Sequence, residues 1–251
     1  VELRQAAWAF AEGFSTTRSL THPYLVRELW PMLVMEDGPR RSGDPRNSEY
    51  VGMDADPSAM MDTAERDAAA MNRGRKFALC AIYSDEERMT RAETVFRERG
   101  YRLIMREPMF VHDGIPKPLA ATTTIRLLND PEELRRLAKQ CRRRPMDPKD
   151  LSNLNPKIRA FIASDGDEIL GWVKSIRCDD NTTWVSDLFV RPEYRRQGLG
   201  TQLMTAMLFD DRQRGYGRSV LLASHAGAAL YPGLGYRQIG TLLLYPAGRK
   251  Y

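Results

Sequence analysis

The residues with the most obvious chemical potential lie in one loop, Arg195-Arg196-Gln197-Gly198-Leu199-Gly200. Two guanidinium groups supply fixed positive charge. Two glycines let the backbone approach a ligand with no Cβ in the way. If a helix starts at Leu199, its first N–H groups lack partners inside the helix, and the helix dipole adds positive potential there. Together these are the parts of a phosphate cradle. The residues beyond the glycines exclude two familiar cradles. A Walker loop places Lys-Ser/Thr after its last glycine, and here that place holds Thr201-Gln202. The dinucleotide fingerprint needs a third glycine three residues after the second, and position 203 is Leu203.

Other reactive residue types are sparse. Cys80, Cys141 and Cys178 are widely spaced, with no CxxC pair. A disulfide framework or a zinc site is not expected. His22, His112 and His225 lack metal-ligand spacing, so no metal is expected. Ser224 and His225 are sequence neighbours, which does not make them a nucleophile–base pair.

The cradle needs a strand before it and a helix after it. Thr183 to Val190 reads as a strand, and Leu199 to Arg212 as an amphipathic helix with Leu199, Leu203, Met207 and Leu208 on one face. Upstream, Thr122 to Leu128 is a β-branched strand. Asn129 or Asp130 caps a helix that carries Pro131 and Glu133 near its start and reaches Cys141. Lys157 to Ala163 and Ile169 to Cys178 are strands joined by Ser164-Asp165-Gly166-Asp167. Ser219 to Ser224 is a strand, His225 to Tyr231 a short helix, and Tyr236 to Tyr245 the last strand.

In the first half, Ala6 to Phe14 reads as a helix. Tyr24 to Met35 reads as a helix running into a strand, and Glu36 to Asn47 as a loop. Pro57 opens a helix over Ala59 to Met71. Arg75 to Tyr83 is a buried-type strand. Ser84 or Asp85 caps the next helix, Gly100 stops it, and Tyr101 to Val111 is strand-like. His112 to Pro118 reads as a linker, which divides the chain into 1–117 and 118–251. The class is α+β, a mixed and mostly antiparallel sheet flanked by helices.

With these elements placed, Val185 to Gly200 resembles the acetyl-CoA motif of the GNAT superfamily of N-acyltransferases, R/Q-x-x-G-x-G/A after a strand ending V-x-P-x-Y-R. Ser224 to Tyr236 is similar to the family's second motif, N-x-x-A-x-x-L-Y-x-x-L-G-F. The resemblance covers Ala121 to Tyr251 and implies the GNAT fold there. It implies acetyl-CoA (coenzyme A) as cosubstrate. Leu188, Phe189 and Val190 would pair with the pantetheine arm as an added strand does. Arg195, Arg196, Gln197, Gly198, Leu199, Gly200 and Thr201 would hold the pyrophosphate. A backbone N–H near Phe189 would polarise the thioester carbonyl. Tyr231 stands where the family has a tyrosine that protonates the departing thiolate; its other reading is an aromatic sealing the core. Ser224 stands where many members have Asn, and either bonds the cofactor arm or caps a helix. Asp187 is the leading candidate for general base, against a strand residue satisfied by neighbouring backbone. Glu193 shapes the loop, and His225 is structural.

Phe96-Arg97-Glu98-Arg99-Gly100-Tyr101 resembles Tyr231-Pro232-Gly233-Leu234-Gly235-Tyr236. This suggests a second, degenerate GNAT-like unit in tandem, against an unrelated helical extension. Phe96 lacks the hydroxyl of Tyr231, and Asn72-Arg73-Gly74-Arg75 is not a cradle.

Bulk properties are those of an ordinary globular protein. The 251 residues are 42% hydrophobic and 28% charged, with net charge +5. That field favours anionic partners such as phosphorylated cosubstrates but is too weak to argue for nucleic acid. The densest basic stretch, Arg135 to Arg144, reads as a solvated helix face and its exit, or else as a seat for acidic substrate or nucleic acid. No apolar run is long enough for a bilayer, and Glu2 and Arg4 flank no leader-like segment, so a cytoplasmic protein is expected. The resulting expectation is an enzyme passing an acetyl or short acyl group to an amine on a small molecule or peptide by direct attack. Its rival is a non-catalytic acyl-CoA-binding module. A monomer or a homodimer fits either.

Overall fold

The structure, a computed structural model, describes residues 2–37, 48–71, 77–119, 123–142 and 144–247. The expected loop at 36–47 falls largely outside these residues, as do Asn72 to Arg75 and Arg143. The chain forms two compact units that interleave in sequence. The first takes Val1–Phe110, Leu222–His225 and Gln238–Tyr251; the second takes Val111–Leu221 and Ala226–Arg237.

The first unit opens with α1 (Glu2–Ser19) and continues through β1 (Tyr24–Leu29), β2 (Met32–Asp37), β3 (Ser48–Met53), α2 (Pro57–Ala70), β4 (Phe77–Tyr83), α3 (Glu86–Glu98) and β5 (Met105–His112), whose end, Val111 and His112, belongs to the second unit. Its sheet runs β1-β2-β3-β4-β11-β5, where β11 (Arg237–Pro246) is the last strand of the chain. β1, β2 and β3 are antiparallel neighbours, and β3 runs parallel to β4 across α2. Asp56 caps α2 by accepting from the Ala59 N–H at 2.8 Å, and Asp85 caps α3 by accepting from Arg88 N–H at 2.8 Å. Gly100 ends α3 in the left-handed region, at φ +81°. Tyr50, Met61, Phe77, Leu79, Phe96 and Tyr245 lie in one core, in which Phe96 stacks on Tyr245 at 4.3 Å.

Two expectations for this unit need correction. Tyr24 to Met35 is not a helix running into a strand but the hairpin β1–β2, paired from Tyr24↔Asp37 to Leu29↔Met32. Pro31 disfavours the helical region at Trp30, which opposes a helix running through this point. β3 was not anticipated. Its polar residues Ser48 and Glu49 are buried with its apolar ones, so no alternation marks it.

The second unit contains β6 (Thr124–Leu127), α4 (Pro131–Cys141), β7 (Ile158–Asp165), β8 (Glu168–Arg177), β9 (Thr182–Val190), α5 (Leu199–Gln213) and β10 (Arg218–Leu222). Its sheet runs β10-β9-β8-β7-β6. β6 to β9 are antiparallel neighbours, and β9 runs parallel to β10 across α5. Asp130 caps α4, accepting from the Glu132 N–H at 2.9 Å. The expected helix at 225–231 is instead a run of turns followed by a 3-10 turn, Pro232–Leu234. Gly227 lies inside so short a segment, and Pro232 and Gly233 bound it, which leaves too little to stabilise a helical nucleus. Ser224 therefore has no helix to cap.

The apolar face expected for α5 is buried as read, but so are Gln202 and Asp211. Asp211 ties the end of α5 to three strands. Thr183 Oγ1 on β9 and Ser175 Oγ on β8 each donate to it at 2.8 Å, and the fully buried Arg159 of β7 is ion-paired with it. Burial pushes the Asp211 carboxyl above its usual range, and Arg159 and the two hydroxyls oppose that shift. This four-element clamp fixes the direction of α5 against the sheet, and so where its N-terminus lies.

His112 is buried against Tyr236, with ring centroids 5.1 Å apart. Arg212 Nη2 lies 3.2 Å from its Nδ1. A guanidinium only donates, so Nδ1 accepts and the proton sits on Nε2. Burial, then Arg212, lower its pKa from 6.5. The unfolded chain therefore takes up this proton first as pH falls. The stability is fully present above the unfolded value and drains away from pH 6.5 down to the folded pKa. Melting temperature should fall more steeply between about pH 7.5 and about pH 5.5 in the wild type than in His112→Gln. Equal slopes would remove His112 from the account.

Candidate functional site

β9 changes character along its length. Thr182 to Val185 are buried, while Ser186 to Val190 are half-buried. Its parallel pairing with β10 ends at Trp184↔Val220, so the two strands part beyond that point. On the other side its register with β8 slips. Lys174 faces Ser186 and Trp172 faces Phe189, which leaves Asp187 and Leu188 opposite the single residue Val173. This is a β-bulge, which bends a strand and re-aims its backbone. Asp187 takes it up in the left-handed region at φ +57°, at a cost of about 1 kcal/mol for a residue with a Cβ.

The strand after the bulge is held through Phe189 and the Val190 carbonyl. Phe189 stacks on Trp172 at 4.5 Å, and the Arg195 guanidinium lies 5.7 Å from the centre of the Phe189 ring. Arg195 Nε also donates to the Val190 carbonyl at 2.9 Å. Gly171 on β8 permits this approach, because a Cβ there would stand 2.7 Å from the Phe189 carbonyl oxygen. Arg191 is clasped by Glu168 and Glu193, and Gln197 Nε2 donates to the Glu193 carbonyl at 3.3 Å. Glu193 is thus a loop-shaping residue.

The loop then delivers its amides to the start of α5. Arg196 is left-handed at φ +62° and Gly198 at φ +79°, one on each side of Gln197. The first bond of α5 runs from the Gln202 N–H to the Gly198 carbonyl at 3.0 Å. The amides of Leu199, Gly200 and Thr201 precede it. Where α2, α3 and α4 each begin with an aspartate side chain on their first turn, α5 begins with Gly198 and has no side-chain cap. Arg195, Arg196, Gln197 and Gly198 are exposed, and Leu199 is buried as an anchor. A Cβ on Gly200 would meet Leu230 at 3.7 Å and Val190 at 3.8 Å, so this glycine sits in the angle between strand, helix and turn. The arrangement offers uncapped amides, a helix dipole and two guanidiniums to an anion. It also offers an extended arm the edge of β9 that no longer pairs with β10, while the other edge stays on β8.

Tyr231 opens the 3-10 turn Pro232–Leu234 and is buried, edge-on to Tyr236 at 5.7 Å. Burial pushes the Tyr236 hydroxyl pKa up, and that hydroxyl is bonded to Ser219 Oγ at 2.8 Å. Ser224 is exposed and lies in the segment Leu222–His225 that belongs to the first unit, whereas the loop, β9 and Tyr231 belong to the second. Asp187 is ion-paired with Lys174, a fully buried lysine that also donates to the Pro145 carbonyl at 3.1 Å. Lys174, Gly171 and Trp172 were not singled out from sequence. The signal available was a lone charged residue within Ile169 to Ile176, a run otherwise apolar except for Ser175. Among the described residues, no group of three or more His, Cys, Asp and Glu is placed to hold a metal, and no helix is long and apolar enough to cross a membrane.

Residues 125–236 match the family model described as the acetyltransferase (GNAT) family. Among solved structures, the chain is similar to a GCN5-related N-acetyltransferase from Kribbella flavida, with a TM-score of 0.61 at 18% identity over 97% of this chain and 96% of that one. It is similar to a GCN5-related N-acetyltransferase from Sphaerobacter thermophilus, with a TM-score of 0.56 at 12% identity over 96% of this chain and 92% of that one. At these identities the likeness is one of fold. No curated protein matches the sequence.

Proposed function

With residues 125–236 a domain of the acetyltransferase (GNAT) family, we propose that the protein transfers an acetyl or other short acyl group from coenzyme A to a primary amine by direct attack. The observation that carries this reading is the uncapped start of α5 beside the freed end of β9. Residues present fit a coenzyme A thioester. Amides from Arg196 to Thr201 hold the pyrophosphate, with Arg195 and Arg196 as flanking charge. The backbone of Leu188, Phe189 and Val190 takes the pantetheine arm. The bulge amides receive the thioester carbonyl oxygen and stabilise its developing charge.

The amine nitrogen attacks the carbonyl carbon, and the carbon–sulfur bond breaks. Tyr231 gives its hydroxyl proton to the departing thiolate. The attacking nitrogen loses its own proton to a water or carboxylate. No protein nucleophile takes part, in keeping with the scattered cysteines and histidines.

The first unit supports the tandem reading by its element order. Each unit has a helix, three antiparallel strands, and a helix leading to a parallel strand. The corresponding helix start is closed in the first unit, where the Asp56 carboxylate occupies the turn of α2 and Asp54 at φ +48° accepts from the Ser84 amide at 2.9 Å. A carboxylate there repels a pyrophosphate. We read the first unit as a degenerate copy without cofactor.

Release of free thiol from acetyl-CoA in the presence of polyamines, aminoglycosides, amino acids and peptide N-termini tests this reading. Amine-dependent release is expected with at least one class. Tight acetyl-CoA binding with no release for any amine would leave a binding module in place of an enzyme.

A further inference from the structure

The second unit contains an ion pair that the proposed reaction does not use. Lys174 sits in mid-strand with its ammonium fully buried. Its ammonium meets the Asp187 carboxylate and the Pro145 carbonyl, the latter at 3.1 Å. Burying an ammonium is unfavourable unless it is paired and hydrogen-bonded, so this lysine is committed to those partners. The pair spans the bulge diagonally, because the residue facing Lys174 across the ladder is Ser186 rather than Asp187.

The backbone at Asp187 is the second observation. Position 187 needs a positive φ, which glycine adopts freely. Aspartate tolerates it because a short polar side chain can be fixed locally. Here the Lys174 ammonium is a group that fixes it. The ion pair therefore holds the one strained residue of β9, and that residue sets where the next amides, Leu188 and Phe189, point.

We infer that Lys174 is a positioning residue of the acyl-transfer site, a strut that holds Asp187 in the bulge and so aims the amides that receive the thioester carbonyl. Asp187 serves as the other end of the strut and not as the base that takes the amine's proton. This rests on the acyl-CoA reading of β9 and α5. It adds that transition-state stabilisation at the carbonyl depends on a side-chain pair lying behind the strand.

The test compares Lys174→Met, Asp187→Asn and the double variant with the wild type. Each single change should lower kcat by about 10- to 100-fold, less than the loss of about 100- to 1000-fold on removing an oxyanion donor outright, because the donors stay and only their aim changes. The double variant should be no worse than the poorer single, as for two parts of one device. Affinity for coenzyme A without an acyl group should stay within about twofold, because the α5 cradle is untouched. The acid limb of the kcat/KM pH profile should survive in Asp187→Asn. Hydrogen exchange of amides 186–190 should quicken in every variant.

Loss of the acid limb in Asp187→Asn would make Asp187 the base and overturn the inference. So would wild-type kcat together with wild-type exchange in Lys174→Met. If the single change does not fold, Lys174→Met/Asp187→Gly removes the buried charge with its partner and accepts the left-handed backbone, and the same readouts apply. A wild type that neither binds acetyl-CoA nor releases thiol would refute the acyl-CoA reading instead. The exchange comparison would still decide whether the strut holds the bulge.

Discussion

Replacing Gly198 by Glu is expected to weaken acetyl-CoA binding by about 100-fold or more while leaving the fold in place, because it loses a charge-assisted bond of about 1.5–3 kcal/mol and adds like-charge repulsion. Gly198 is the N-cap of α5 at φ +79°, with no side-chain cap. A Cβ there meets only Gln202 Nε2, at 4.0 Å, so space is not what forbids a side chain. Two other effects do. A residue with a Cβ held left-handed costs about 1 kcal/mol. A carboxylate at a helix N-terminus is welcomed by the dipole and becomes the anion the amides bind, as the aspartates already do on α2, α3 and α4. The variant thus fills its own cradle. Gly198→Ala separates the two, since it carries the backbone cost without the charge and should lose about tenfold at most. Calorimetric titration with acetyl-CoA reads both. An unchanged dissociation constant for Gly198→Glu would end the cradle assignment.

Removing the Tyr231 hydroxyl is expected to lower kcat by about 100-fold or more, the usual contribution of a positioned proton donor, with acetyl-CoA affinity unaltered. Tyr231 is buried and edge-on to Tyr236. Phenylalanine keeps that ring contact, so Tyr231→Phe tests the proton and not the packing. The alternative role, an aromatic sealing the core, predicts the reverse: wild-type kcat in Tyr231→Phe. Substrates with a better leaving thiol should recover part of the loss if the hydroxyl protonates that thiolate. A loss that does not depend on the leaving group would point away from that role.

Much of the second unit was legible because its signals are local. Asp130 and Pro131 mark a helix start, Gly166 a hairpin turn, and Gly198 the entry to α5, each through conformational preferences of single residues. Long-range features were less legible. The strand β3 is buried along nearly its whole length, including Ser48 and Glu49, so no alternation reveals it. Pro31 breaks the apolar run Tyr24 to Met35 into a hairpin, yet the run alone looks equally helical. The last strand joins the sheet of the first unit, between β4 and β5, and nothing in Arg237 to Pro246 announces that destination.

The site divides in the same way. The loop Arg195 to Gly200 was found because glycines and arginines at a strand–helix junction carry their chemistry in their types. The bulge was not found, because it is a mismatch of register between β8 and β9 and has no signature within β9 alone. Asp187 was noticed as a carboxylate, but its tie to Lys174 links two strands and could not be read from either. The need for glycine at 171 comes from the Phe189 carbonyl on the neighbouring strand, a contact with no mark in the sequence around it.

The proposed acyl transfer requires a coenzyme A thioester along the freed end of β9 with its pyrophosphate on the start of α5. Titrating acetyl-CoA into the isotope-labelled protein and following each backbone amide by NMR tests it most directly. The largest shifts should fall on amides 188–190 and 196–201, with the helix starts of α2, α3 and α4 unmoved. Saturating acetyl-CoA that leaves both segments unperturbed, or that moves the start of α2 in their place, would contradict it.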